Sequence, residues 1–333
     1  MHHGGDIGAA RSAYGEPAEG WLDLSTGINP VAYPFTMPEP ASWRRLPQAA
    51  AERRLLEAAR AAYGVPDHAD ICAAPGTQIL IQMLPRLMPG ARVSVVGPTY
   101  TEHAATWRAE GAVVTLVPVL AEASGDVVVV VNPNNPDGRT VAPGEIGDLA
   151  GRLQARHGLV VVDEAFADVD SALSVVAMAG QPGLLVLRSF GKFYGLGGVR
   201  LGFAIGHRAD IGRLRHWLGP WATSGPAIEI GAAALADGAW AQAMRAEIRQ
   251  QSAALSALLA AQGFAARGNG GLFVLTEHVR AVDLHAALAR RGIWVRRFAD
   301  HPGWLRFGLP GPAVARLAAA LAAAVDEIGG GAP

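Results

Sequence analysis

Between residues 92 and 205, short runs of β-branched residues alternate with longer segments of helical period. The runs at 92–96 (RVSVV), 113–117 (VVTLV), 127–131 (VVVVV), 159–163 (LVVVD), 184–188 (LLVLR) and 201–205 (LGFAI) are apolar on both faces. That is the pattern of strands buried between layers of helix. The apolar run ADICAAPG reads as a further buried strand. Helices are predicted over 49–63, 77–88, 101–110 and 143–157, the last opened by Pro143 and stopped by Gly158. Alternating β and α over this length predict an α/β fold with a mostly parallel, doubly wound sheet.

From about residue 226 the pattern turns to alanine-rich helix, and WAQAMRAEIRQQSAALSALLAAQG runs to Gly263. Beyond it, short strands in GLFVLT, GIWVRR and WLRFGL with helices at 282–291 and 312–328 predict a small α+β domain. The residues before 49 are proline-rich and irregular.

Half of the 333 residues are hydrophobic and 17% are charged, so a large buried core is expected. The net charge is −1, with no basic block and no Cys/His ligand spacing, which speaks against nucleic acid and structural zinc. Cys72 is the one cysteine, so no intrachain disulfide forms, as expected in a reducing cytoplasm. The opening MHHGGDIGAA lacks the charged and apolar regions of a secretory signal, and VVVVV falls far short of the ~18 apolar residues of a membrane span.

One residue stands out by its rarity. Lys192, in SFGKFYGLGGVRLGF, is the single lysine of the chain, set among small, apolar and glycine residues with Arg200 close behind. An amine becomes nucleophilic when it is desolvated or placed beside other cations; a surface-loop lysine is the ordinary alternative. Four further stretches fall at predicted strand ends, where open α/β sheets place their sites. APGTQ offers Gly76 and Thr77 as a phosphate cradle, or a plain strand–helix turn. NPNNPDG follows VVVVV and presents Asn135 as a donor, or merely turns the chain. Asp163 ends LVVVD, where an acid needs a donor or a cation, unless it caps the next helix. Tyr100 ends GPTY, as a ring to stack on a planar ligand or to pack the core. Together a lysine, an anion seat, an acid, an amide and a ring make a set suited to pyridoxal phosphate.

With these motifs in this order, the sequence resembles the fold type I, aminotransferase class I/II superfamily of pyridoxal-phosphate enzymes over nearly its whole length. The resemblance implies Lys192 as the Schiff-base lysine, Asp163 as pyridinium partner, and Asn135 as the donor to O3′. It also implies Ser189 and Arg200 on the cofactor phosphate, and Arg306 in WLRFGLP on a substrate anion. The implied organisation is a segment over 1–45 closing the active site, a cofactor-binding domain over 46–238, and a connecting helix with a small domain over 239–333. A homodimer is implied too.

The start HHGGD with LDLSTGINP is similar to the threonine-phosphate decarboxylases of cobalamin biosynthesis. By that likeness His3, Gly4, Gly5 and Asn29 would lie at the active-site mouth. The implied reaction is decarboxylation of a small phosphorylated amino acid, L-threonine O-3-phosphate. Of the doublet in VRRF, the likeness favours Arg296 over Arg297 beside Arg306, since neighbours on a strand face opposite ways. The alternative is an aminotransferase resembling histidinol-phosphate aminotransferase. A non-catalytic cofactor-binding regulator would normally carry a basic DNA-binding segment, which this chain lacks. Three departures from the family pattern each remove a hydroxyl. Gly191 stands where many relatives have Ser or Thr, Phe166 where they often have Tyr, and Leu46 where a Tyr-Pro pair often occurs.

Overall fold

The computed structural model describes residues 4–329. The strands are β1 (Leu22–Leu24), β2 (Asp70–Ala74), β3 (Arg92–Val96), β4 (Val113–Val117), β5 (Val127–Val131) and β6 (Leu159–Asp163), followed by β7 (Leu184–Ser189), β8 (Gly202–Gly206), β9 (Ala266–Asn269), β10 (Phe273–Glu277), β11 (Ile293–Arg297) and β12 (Trp304–Gly308). By contacts the chain divides into two compact units. The larger takes residues 32–135 and 140–243; the smaller takes 4–31, 136–139 and 244–329.

The larger unit is built on a seven-stranded sheet in the order β2-β8-β7-β6-β5-β3-β4. Neighbours from β4 to β7 are parallel, and β8 is antiparallel to both β7 and β2. The five valines of β5 are all buried, as a central strand covered on both faces requires. Every residue of β6 and β7 is buried as well. By contrast β4 is largely exposed, against the expectation of burial on both faces, because it is the last strand of the sheet. The helix Ala49–Tyr63 ends at Gly64, whose left-handed backbone lets its N–H reach the carbonyls of Arg60 and Ala61. Over 77–88 the expected single helix is a helix Thr77–Met83 followed by a 3₁₀ turn at Leu84–Leu87. Pro85, which has no N–H to donate, forces the change.

The smaller unit holds a five-stranded sheet in the order β1-β11-β12-β10-β9. Its first strand comes from the N-terminal segment, where β1 pairs in parallel with β11 and Leu22 lies opposite Ile293. That segment also forms a helix, Ile7–Tyr14, capped by the Asp6 carboxylate on the Ala9 N–H. Among the described residues, no helix is long and apolar enough to cross a membrane.

Candidate active site

In the larger unit, strand direction gathers the candidate residues along one edge of the sheet. The strands β3, β5, β6 and β7 all end there, β2 ends there with them, and the antiparallel β8 begins there. Register makes this explicit: Val131 lies opposite Asp163, Asp163 opposite Leu187, Ser189 opposite Gly202, and Gly202 opposite Ala74. The turns bearing Gly76, Thr77, Tyr100, Asn135, Lys192 and Arg200 leave from these same strand ends.

Lys192 sits half-buried on the one-turn helix Phe190–Phe193, with Nζ 5.8 Å from the centre of the Phe166 ring. Tyr194 stacks on Phe190 on one side and on Trp240 on the other, at 4.6 and 5.5 Å between ring centres. A side chain on Gly191 would come within 2.8 Å of the Gly197 Cα. The departure from the Ser or Thr of many relatives at this position has a steric counterpart here: the lysine helix lies too close to the following glycine turn for a side chain.

Asp163 is buried, and both its oxygens are engaged. Oδ1 accepts from the Ala165 N–H at 3.0 Å, and Oδ2 lies 2.9 Å from His103 Nε2. His103 is fully buried in the helix Thr101–Ala109, and its Nδ1 has no protein partner. An Nε2–H donating to Asp163 satisfies this geometry. The hydroxyl of Tyr100 donates to Gln78 Oε1 at 2.9 Å, and Gln78 in turn donates to Glu102 at 3.0 Å. The ring is thus held by its own oxygen.

In NPNNPDG the amides of Asn132 and Asn134 are engaged with neighbouring segments. Asn132 exchanges hydrogen bonds with the Val141 backbone in both directions. Asn134 donates to the Pro98 carbonyl and accepts from Thr99. Asn135 follows them, half-buried.

The cradle at residues 76–77 is built differently from its simplest reading. The Gly76 N–H donates to the Ala74 carbonyl at 2.7 Å, so it is already used. What Gly76 contributes is space. Its φ is +86°, and a Cβ there would lie 2.5 Å from Arg200 Nη2. Arg200, itself left-handed at φ 56°, lays its exposed guanidinium over this turn. Gly202, on the neighbouring strand, makes room in the same way, since a Cβ there would sit 2.7 Å from the Thr77 nitrogen. Arg200, Thr77 and, opposite Gly202, Ser189 are thus brought to one strand end, a set of donors whose chemistry suits an anion.

On the other face of the same strands, Arg188 reaches Glu164 at 2.8 Å and Asp168 at 2.7 Å, all nearly dry. Burial opposes its charge, yet Asp168 and Glu164 outweigh burial and hold the guanidinium firmly ionised. Because Glu164 and Arg188 directly adjoin Asp163 and Ser189 in sequence, this network fixes the strand ends that carry the site.

In the smaller unit, Arg296 lies directly opposite Arg306 across β11 and β12, so both side chains share a face. Arg297 is exposed, on the alternate side of the strand. The Arg306 guanidinium is buried, 4.9 Å from the centre of the Phe273 ring, and donates to the Ser25 carbonyl at 2.8 Å. Burial, with the neighbouring Arg296 charge, makes its charged state unusually costly, and Asp23 offsets part of that. Such a pair has much to gain from an anion. Asn29 is buried, its Oδ1 accepting from the Val31 N–H at 3.0 Å. Gly4 and Gly5 pack on Ser25 and Thr26. His3 lies outside the described residues.

His103, Gln78 and the Glu164–Arg188–Asp168 network escaped the sequence reading. The only available signal for His103 was its place three residues after Tyr100 on a helix.

A lysine at the end of a parallel strand, a held carboxylate, a fixed aromatic ring and an arginine-lined anion seat on a doubly wound sheet together define the fold type I class. The chain belongs to the aminotransferase class I and II family, whose sequence model matches residues 46–323. It is 45% identical over 331 residues to the threonine-phosphate decarboxylase of Sinorhizobium sp, and 42% identical over 332 residues to that of Pseudomonas aeruginosa. Each match covers 96% of this chain and 97% of the relative. In fold it is similar to the histidinol-phosphate aminotransferase from Clostridium acetobutylicum, with a TM-score of 0.81 at 19% identity, over 92% of this chain and 99% of that one.

Proposed function

We propose that this chain decarboxylates L-threonine O-3-phosphate with pyridoxal 5′-phosphate, giving (R)-1-amino-2-propanol O-2-phosphate for cobalamin synthesis. The near-full-length likeness to threonine-phosphate decarboxylases supports this, since it reaches into the N-terminal segment that precedes the family match. The structural observation that carries the reading is the pairing of Arg296 and Arg306 on one face.

Lys192, Asp163, Tyr100, Asn135, Thr77, Ser189 and Arg200 are the residues that would hold the cofactor, and their chemistry fits its aldehyde, ring and phosphate. When bound, pyridoxal 5′-phosphate supplies an electron sink for the pair left at the substrate Cα as CO₂ departs. The protein's own groups do the rest. Asp163, fixed by Ala165 and His103, keeps a proton at the pyridine nitrogen. Tyr100 would stack on the ring, and Arg200 with Thr77 and Ser189 would neutralise the cofactor phosphate. Lys192 would be the residue to engage the cofactor aldehyde, and its Nζ would hold the proton that Cα takes up in place of CO₂. Arg296 and Arg306, with Asn29 and the Gly4–Gly5 backbone, bind the substrate phosphate. A doubly charged ester would claim both guanidiniums and so leave the α-carboxylate without an arginine partner on that face, which would favour its loss over retention.

We infer further that the enzyme is a cytoplasmic homodimer. Met37, Trp43, Leu46 and Trp221, each more than half exposed, surround a groove of about 540 Å³ in the larger unit. An apolar face of this kind on a water-soluble chain marks an interface, and a second copy is the occupant we assign to it. Light scattering that finds a concentration-independent monomer overturns this.

The test of the reaction is CO₂ release from L-threonine O-3-phosphate by the cofactor-loaded protein, with no 2-oxo acid present. Catalytic release is expected. Conversion of the cofactor to its amine form without CO₂ would make the protein an aminotransferase. Arg296→Ala should lower kcat/KM for the phosphorylated substrate at least tenfold; an unchanged value removes Arg296 from the anion site.

A further inference from the structure

Three parts of the smaller unit meet at Ser25, a residue for which the reaction described above has no role. Ser25 is 1% exposed and follows the edge strand β1 directly. Its N–H and hydroxyl both point at Asp23 Oδ1, at 2.8 and 2.5 Å. Its Oγ accepts from the Gly5 N–H at 2.7 Å, and its carbonyl accepts from Arg306 Nη2 at 2.8 Å. Gly4 lies so close that any side chain there would collide with the Ser25 carbonyl.

The chemistry of the junction is directional. A hydroxyl that donates to a carboxylate becomes a better acceptor, so Asp23 strengthens the grip of Ser25 on Gly5. The same residue's carbonyl holds one nitrogen of Arg306, which fixes the plane of the guanidinium and the direction of its other donors. Asp23 also lies close enough to favour the charged form of Arg306. One buried serine therefore sets both the N-terminal glycine pair and the arginine.

We propose that Ser25, held by Asp23, is the positioning residue of the substrate-phosphate site, joining Arg306 to the N-terminal Gly4–Gly5 segment so that an anion engages both together. This rests on the reading of Arg306 as a phosphate ligand. It predicts that an anion on Arg306 orders the N-terminal segment, because the Ser25 peptide is the shared support.

Two readings on one set of proteins test it. The first is kcat and KM for L-threonine O-3-phosphate in the wild type and in Ser25→Ala. The second is the rate of tryptic cleavage after the exposed Arg11, with and without inorganic phosphate. Ser25→Ala should raise KM about tenfold with kcat within about twofold, the size expected for losing one such hydrogen bond. Phosphate should slow cleavage at Arg11 in the wild type and not in the variant. Should Ser25→Ala fail to fold, Ser25→Cys fills the same space with a weaker acceptor and should move both readings the same way. Wild-type KM and wild-type phosphate protection in the variants overturn the proposal, as does a loss confined to kcat. If the wild type releases no CO₂, the substrate assignment has failed, and cleavage at Arg11 still decides the role of Ser25.

Discussion

His103 Nε2 lies 2.9 Å from Asp163 Oδ2, and both side chains are buried. The Asp163 carboxylate is thus held at Oδ2 by an imidazole and at Oδ1 by the Ala165 N–H. Its orientation is set before any ligand arrives.

Removing that support has a defined cost. A hydrogen bond to a charged group is worth about 1.5–3 kcal/mol, or roughly ten- to a hundredfold. His103→Leu should weaken pyridoxal 5′-phosphate binding within that range and lower kcat/KM with it. His103→Gln, which can still donate to Asp163, should recover some of the loss. Equilibrium dialysis of the cofactor, read beside the kinetics, checks both; equal affinity in the leucine variant would show Asp163 to be held well enough without it.

Gly191 makes the opposite kind of prediction, since relatives often carry a hydroxyl there. With only 2.8 Å between a new Cβ and the Gly197 Cα, Gly191→Ser must push the lysine helix off the glycine turn. Overpacking of this sort costs about 1–3 kcal/mol. The added hydroxyl should therefore lower the melting temperature and fail to tighten cofactor binding. Tighter binding would mean that the turn yields easily.

His285 predicts a pH dependence of stability. Burial, helped by the Arg297 charge, pushes its imidazole down to about 4 from an ordinary 6.5. The folded chain keeps it neutral where the unfolded chain takes up a proton. Its contribution is complete above pH 6.5 and is lost as pH falls from there towards about 4, up to about 3 kcal/mol in all. Urea unfolding between pH 7 and 4 should therefore show a shallower pH dependence in His285→Gln than in the wild type, although the variant starts less stable. Parallel slopes would remove His285 as the cause.

How much of this was legible beforehand depended on distance along the chain. The strands β3, β5 and β6 lie at the predicted positions because a central strand writes its burial into consecutive residues, and the edge strand β4 was legible from its β-branched run alone. Lys192 was legible too, as the sole lysine in a glycine-rich turn. His103 was not, because its meaning comes from Asp163, sixty residues away. The helix Ile7–Tyr14 and the three-residue β1 were missed for a related reason: they are short, and tertiary partners rather than local pattern stabilise them. Asp6 before that helix and Gly15 after it were the signals at hand.

The pairing of β1 with β11 also has a bearing on synthesis. Leu22 leaves the ribosome roughly 270 residues before Ile293, which at about 5–20 residues per second is a wait of about 15–55 s. Over that interval the seven-stranded sheet can form from residues 70–206, while the first strand of the other sheet has no partner. Ser25 waits longer still for Arg306. The N-terminal strand can therefore complete its pairing only together with the C-terminal part of the smaller unit, after every strand of the seven-stranded sheet has been made.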